Sequence, residues 1–179
     1  MTIVDAWGKI KGNMDKVTAR YQYMDWDQFY IGMCAYVSQK SKDRTTKVGA
    51  IIVGDCHEVL SIGFNGFPRG VPDDHEPYHE RPAKYAVTEC GERNAIYNAA
   101  RNGIRVEGST LYLPFEPLPC SNCTRGIIQS GIRRIVGTTA KFAGKGKHWK
   151  DDLFLSEQML DHAKIERVAI DLDRMEGIL

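Results

Sequence analysis

No run of apolar residues in this chain approaches the ~20 that a bilayer-spanning helix needs. Neither sign of charge is in short supply: 24 Lys and Arg face 23 Asp and Glu over 179 residues, a formal net charge of +1. The first observation excludes a helical membrane span as an expected feature. The second removes the broad basic surface on which bulk nucleic-acid binding depends. The opening stretch MTIVDAWGKIKGNMDK lacks a continuous apolar core followed by a small-residue cleavage site, so no secretory signal is read there. Low-complexity tracts and internal repeats are also missing. Without an export signal, the five cysteines fit metal binding or catalysis better than a disulfide framework. What remains is an expected cytoplasmic protein with no membrane or nucleic-acid partner, long enough for one domain with a real core.

Residues 1–24 are charged and mixed and are read as an N-terminal extension; residues 25–179 are read as a single domain. From Asp25 the segment DWDQFYIGMCAYVSQKSK has helical spacing, with Tyr30, Cys34 and Val37 on one face and Asp25 or Asp27 as N-cap. VGAIIVG (Val48 to Gly54) and EVLSIGF read as a hairpin around Asp55 and Cys56. The Gly-, Pro- and charge-rich stretch from Asn65 to Tyr85 reads as a long irregular loop, a length that usually marks function or mobility. A helix ends at Arg101, with Asn102-Gly103 as a left-handed stop. There follow a strand STLYLPF, a helix from near Cys120 to Gly131, a strand IRRIVGT, a helix from Ser156 to His162 or Ala163, and a strand ERVAIDL. This order predicts a three-layer α/β/α sandwich around a mixed sheet of about five strands.

The chemistry is concentrated in two short stretches, Cys90-Gly91-Glu92 and Pro119-Cys120-Ser121-Asn122-Cys123. Cysteine is not a preferred helix cap and glycine is a poor helix former, so TECGERNAIYNAAR starts its helix in a locally unhelpful way. Helix N-termini carry partial positive charge, which favours the thiolate that a metal requires. A C-x-x-C turn offers two sulfurs to one ion, and Cys90 offers a third. Three ligands with an open fourth position suit a catalytic zinc, whereas a structural zinc is closed by a fourth ligand. Glu92, two residues past Cys90, is placed to take a proton from water at that position and return it to a leaving group. Cys-x-Glu followed by P-C-x-x-C is the pattern of zinc deaminases, in which water attacks C4 of a cytosine ring and ammonia departs.

From roughly Trp26 to Gly137 the chain resembles the deoxycytidylate (dCMP) deaminase family of the cytidine deaminase-like superfamily. The stretches that carry the likeness are SKDRTTKVGAIIV, SIGFNGFPRG, ERPAKYAVTECGERNAIYNAAR and PCSNCTRGIIQSGIRRIV. The second is the most discriminating. The resemblance implies hydrolysis of dCMP to dUMP, which feeds thymidylate synthesis. It implies that Asn65 holds the deoxyribose hydroxyl and that Arg44 or Lys47, with Lys141 and Phe142, lies near the phosphate. It also implies one Zn2+ per subunit, a homo-oligomer (commonly a hexamer), and dCTP and dTTP as effectors, with Mg2+ accompanying the nucleotide.

One position departs from the family, most members of which have histidine where this chain has Cys90. Three thiolates leave a zinc site with a net charge of −1 and acidify its water less. Arg93 is therefore expected to donate to a ligand sulfur and offset the third thiolate. Cys34 and Cys56 read as ordinary buried or strand residues. His75 and His79, spaced i and i+4, read as exposed loop histidines rather than a second metal site. Two rival functions remain: a deaminase of another cytosine nucleoside or nucleotide, and a non-catalytic zinc-containing nucleotide sensor. The sensor has no use for Glu92.

Overall fold

β1 (Gly49–Val53) is the strand around which the molecule is built, because every one of its residues is buried. The computed structural model describes residues 24–140, 149–171 and 173. β2 (Val59–Phe64) and β3 (Thr110–Tyr112) flank β1, both antiparallel to it, and β4 (Arg134–Thr138) and β5 (Glu166–Ile170) continue from β3 in parallel. The sheet order is therefore β2-β1-β3-β4-β5. Among the described residues five α-helices accompany it: α1 (Trp26–Ser38), α2 (Ala83–Val87), α3 (Gly91–Arg101), α4 (Ser121–Gln129) and α5 (Lys150–His162).

Alternation along the strands divides the core into two. Ala50, Ile52, Leu111, Leu113 and Ile135 pack against Ala95 and Ala99 of α3, Ile127 of α4 and Leu160 of α5. Ile51, Val53, Tyr112, Val136 and Ile170 face the other way, onto Tyr30, Ile31 and Cys34 of α1. A strand buried on both faces must read as a continuous apolar run, which explains GAIIV. Each fully buried isoleucine contributes about 2–3 kcal/mol relative to exposure. The architecture is the expected three-layer α/β/α sandwich with a mixed sheet.

Local chemistry sets the element ends. Asp25 accepts from the Gln28 amide at 2.8 Å while Gln28 Oε1 accepts from the Asp25 amide at 3.3 Å, a capping box. Asp27 is thereby left for the α1 face, where it accepts from Tyr112 Oη at 2.7 Å and pairs with Arg134 at 2.8 Å. Gly103, at φ +68°, ends α3 as expected. Gly63 decides how close α3 can lie to the sheet. A Cβ there would fall 2.2 Å from Ala95 N and 2.3 Å from Gly91 O. Gly91 is itself tight, its added Cβ falling 3.1 Å from Val48 O.

Four expectations change. The stretch from Asn65 to Tyr85 holds a 3-10 turn (Glu76–His79) and runs into α2. The regular part of β3 is shorter than STLYLPF. α5 begins at Lys150 and not at Ser156; its first two turns carry Asp151 and Asp152, and only Ser156 and Leu160 are buried, so periodicity reveals little of it. Cys56 lies exposed in the hairpin turn, while Cys34 is fully buried and its thiol donates to Tyr112 O at 3.2 Å. Among the described residues no helix is long and apolar enough to cross a membrane.

Candidate active site

Cys90 and Cys120 are the N-cap residues of α3 and α4, and neither caps its helix with the side chain. Their sulfurs are instead free to meet. The thiols of Cys90, Cys120 and Cys123 lie within 4.8 Å of one another, so sulfur atoms from two separate segments can share one ion. The glycine after Cys90 now has a reason: α3 must begin against Val48 and β2, where a side chain would crowd the backbone.

α5 fixes the start of α4 in place of the missing cap. Asp152 accepts from the Ser121 amide at 3.0 Å and from the Ser121 hydroxyl. Ser156 donates to Pro119 O at 2.7 Å and shares a hydrogen bond with Thr124 Oγ1 at 2.6 Å. The cysteine pair is thus held by a helix whose sequence carries none of the motif.

The sulfurs perturb one another strongly. Hydrogen bonds from the Cys123 and Cys90 thiols pull the Cys120 thiol well below its usual range, aided by the Cys123 amide and the charge of Arg93, while burial opposes them. Cys90 and Cys123 are pushed up, chiefly by bonding to Cys120 and by burial. Crowded as they are, the three sulfurs oppose one another's ionisation, and a divalent cation is what would let all of them ionise together.

Arg93 stands beside this cluster. Its guanidinium pairs with Glu89, and its buried Nε has no hydrogen-bond partner among the described residues. Burial works against its charge, but Glu89 and the sulfurs of Cys123 and Cys90 outweigh burial and raise its pKa. The donor set suits zinc: soft sulfurs at two helix N-termini, with an orphaned N–H beside them.

A cavity of about 430 Å3 opens onto the cluster, within the ~300–1,000 Å3 typical of small-molecule sites. Glu92, only 5% exposed, lies in its wall with Cys90 and Cys120. Asn65 is also buried in that wall. Its Oδ1 accepts from the Val48 amide at 2.8 Å and its Nδ2 donates to Thr46 O at 2.8 Å, leaving one Nδ2 hydrogen for an occupant. Thr88 contributes a buried Oγ1 with no partner among the described residues.

Other expectations do not converge here. Arg44 is outside the lining, bidentate to Glu76 with both contacts at 2.7 Å. Lys47 is exposed between Thr46 and Val48, which face the cavity, as alternation along an extended run requires. Lys141 and Phe142 lie outside the described residues, as do residues 1–23 of the extension. His79 Nε2 meets Asp73 O at 2.7 Å and His75 packs edge-on against Tyr78, so the two rings engage different partners and belong to no three-ligand cluster among the described residues.

Sequence reasoning missed two groups. One is the α2 wall, where Arg81, Lys84, Tyr85 and Thr88 face the cavity. Lys84 Nζ reaches Asp43 Oδ1 at 2.7 Å and also bonds Thr45 Oγ1. The other is Trp149, whose ring meets Tyr85 edge-on at 6.1 Å. The i, i+3, i+4 spacing of Arg81, Lys84 and Tyr85 was the available signal, hidden by the prolines around it.

The family model for the cytidine and deoxycytidylate deaminase zinc-binding region matches residues 24–139. A deoxycytidylate deaminase of Pongo abelii is 29% identical over 172 residues, covering 88% of this chain and 92% of that protein. A probable deoxycytidylate deaminase of Drosophila melanogaster is 33% identical over 157 residues, covering 82% of this chain and 73% of that protein. The fold also matches the crystal structure of dCMP deaminase from the cyanophage S-TIM5 in complex with dCMP and dUMP, with a TM-score of 0.61 at 21% identity over 84% of this chain and 99% of that chain.

Proposed function

This chain belongs to the cytidine and deoxycytidylate deaminase zinc-binding family, and from that premise we propose that it hydrolyses dCMP to dUMP and ammonia. The single observation carrying the reading is the placement of buried Glu92 in a cavity wall shared with two of three converging thiols. A zinc ion held by Cys90, Cys120 and Cys123 would supply Lewis-acid activation of water.

The chain's own residues do the rest. Glu92 takes a proton from the attacking water and delivers it to N3 of the cytosine ring as the C4–O bond forms. It then takes the second proton, from the new C4 hydroxyl, and passes it to the amine as the C4–N bond breaks, leaving C4=O and ammonia. The spare Nδ2 hydrogen of Asn65 serves the sugar hydroxyl, and the loop from Asp43 to Val48 is held rigid beneath it by Lys84. Residues 25–179 act as one domain in this reading, because α5 and β5 are needed to hold α4 and close the sheet.

Purified protein offered dCMP, dCTP, deoxycytidine and CMP should consume dCMP fastest, followed as loss of cytosine absorbance. Preference for deoxycytidine would move the assignment to a nucleoside deaminase. Ligand binding without ammonia release would make the chain a sensor.

Arg93 supports the third thiolate in this scheme. Its buried Nε–H is the donor available to a sulfur, and its charge offsets the extra anion that Cys90 brings. Arg93→Gln should speed zinc loss to a competing chelator by about tenfold or more, the usual scale for partners of metal ligands. Unchanged zinc release would remove Arg93 from the site.

A further inference from the structure

Among the described residues the cavity is lined by three cations, and two are already neutralised. Lys84 is bound to Asp43 and Arg93 to Glu89. Arg81, exposed at the rim, makes no ion pair among the described residues. Its guanidinium carbon lies 5.4 Å from the centroid of the Tyr85 ring. Tyr85 is in turn met edge-on by Trp149, so the guanidinium is steered by a ring that another ring steers.

We propose that Arg81 is the phosphate anchor of this site, the side chain by which the protein distinguishes a nucleoside 5′-monophosphate from a free nucleoside. The inference rests on the deaminase reading above and adds to it the residue that sets substrate class. Burial gives the direction. Glu92 is 5% exposed, whereas Arg81 is exposed, so a ligand whose base reaches Glu92 runs outward toward the rim. A phosphate belongs at the wet end, where its dianion keeps part of its hydration.

Charge points to the same residue. Asp43, Glu92 and Asp152 all line the cavity, and their carboxylates repel a phosphate unless a cation with unspent donors stands nearer. Lys84 cannot be redirected without stripping Asp43, which is 7% exposed. Arg93 is paired with Glu89. Of the cations the sequence suggested, Arg44 and Lys47 are off the lining, and Lys141 lies outside the described residues. A guanidinium stacked on an aromatic face keeps its edge N–H groups, and that planar fork matches two phosphate oxygens.

The test compares wild type with Arg81→Gln and Arg81→Lys. It measures kcat/KM for dCMP and deoxycytidine and, by calorimetry, affinity for dUMP and deoxyuridine. Arg81→Gln should lower kcat/KM for dCMP by about 10- to 100-fold, the scale of a charged hydrogen-bonded pair. It should leave deoxycytidine turnover and zinc content unchanged, and Arg81→Lys should fall between. An equal loss for both substrates would mean that Arg81 only props the wall, and no loss would place the phosphate elsewhere; either result overturns the proposal. If wild type deaminated nothing yet bound dUMP over deoxyuridine through Arg81, the reaction would be wrong and the anchor would stand.

Discussion

Glu92→Gln should retain about one zinc ion per chain and lose turnover of dCMP by a thousandfold or more, within the ~10²–10⁴ range of general acid–base catalysis at its upper part. The amide keeps the shape of the side chain but cannot take a proton. Glu92 is buried beside the thiols but is not one of the converging ligands, so its loss leaves the metal donors intact. Metal analysis of the same sample used for kinetics separates the two roles. Activity within tenfold of wild type would remove Glu92 from the chemistry, and loss of zinc would make it part of the metal centre.

The second large effect concerns stability. Lys84 and Asp43 form an ion pair whose side chains are only 12% and 4% exposed. Asp43 also accepts the Thr45 and Thr46 amides at 2.9 and 3.0 Å, so one carboxylate ties the loop at Asp43 to α2. Lys84→Ala strands that charge and should cost about 3 kcal/mol, the scale for breaking a buried pair by removing one partner. Tm should fall by about 10 °C for a chain of this size.

The pH dependence carries a sign. Burial alone would raise the Asp43 pKa, but the Lys84 ammonium and the two amides outweigh it and hold it below the usual carboxylate value. The pair's contribution is therefore full above the unfolded-state pKa of Asp and is lost as pH falls through the lower folded value. The gap between wild type and Lys84→Ala, measured by denaturant unfolding, should narrow in acid. A gap that persisted unchanged to low pH would mean that the lysine's packing, not its charge, was removed.

The motifs were legible because they are short and chemically unusual. Cys90, Cys120, Cys123 and Glu92 stand out by type and spacing, and GAIIV and the flanking strands by periodicity. The partners of the cations around the cavity were not legible. Arg44 looks like Arg81 in sequence, and only the position of Glu76 shows that the first is occupied. Asp152 and Ser156 carry no motif, yet they hold the start of α4 from another helix. The early turns of α5 were invisible for a related reason, since few of their side chains are buried and the apolar stripe has little to show.

By itself the sequence determined the sandwich, the order of its main elements and which three cysteines stand out as a set, because each follows from local periodicity or from the chemistry of neighbouring residues. Tertiary structure alone decided that the sulfurs of two segments meet, that Arg93 pairs with Glu89, and that Lys84 is bound while Arg81 makes no ion pair among the described residues. Those outcomes depend on which charges the fold brings together across distant parts of the chain. A one-dimensional pattern records the charges but not their partners.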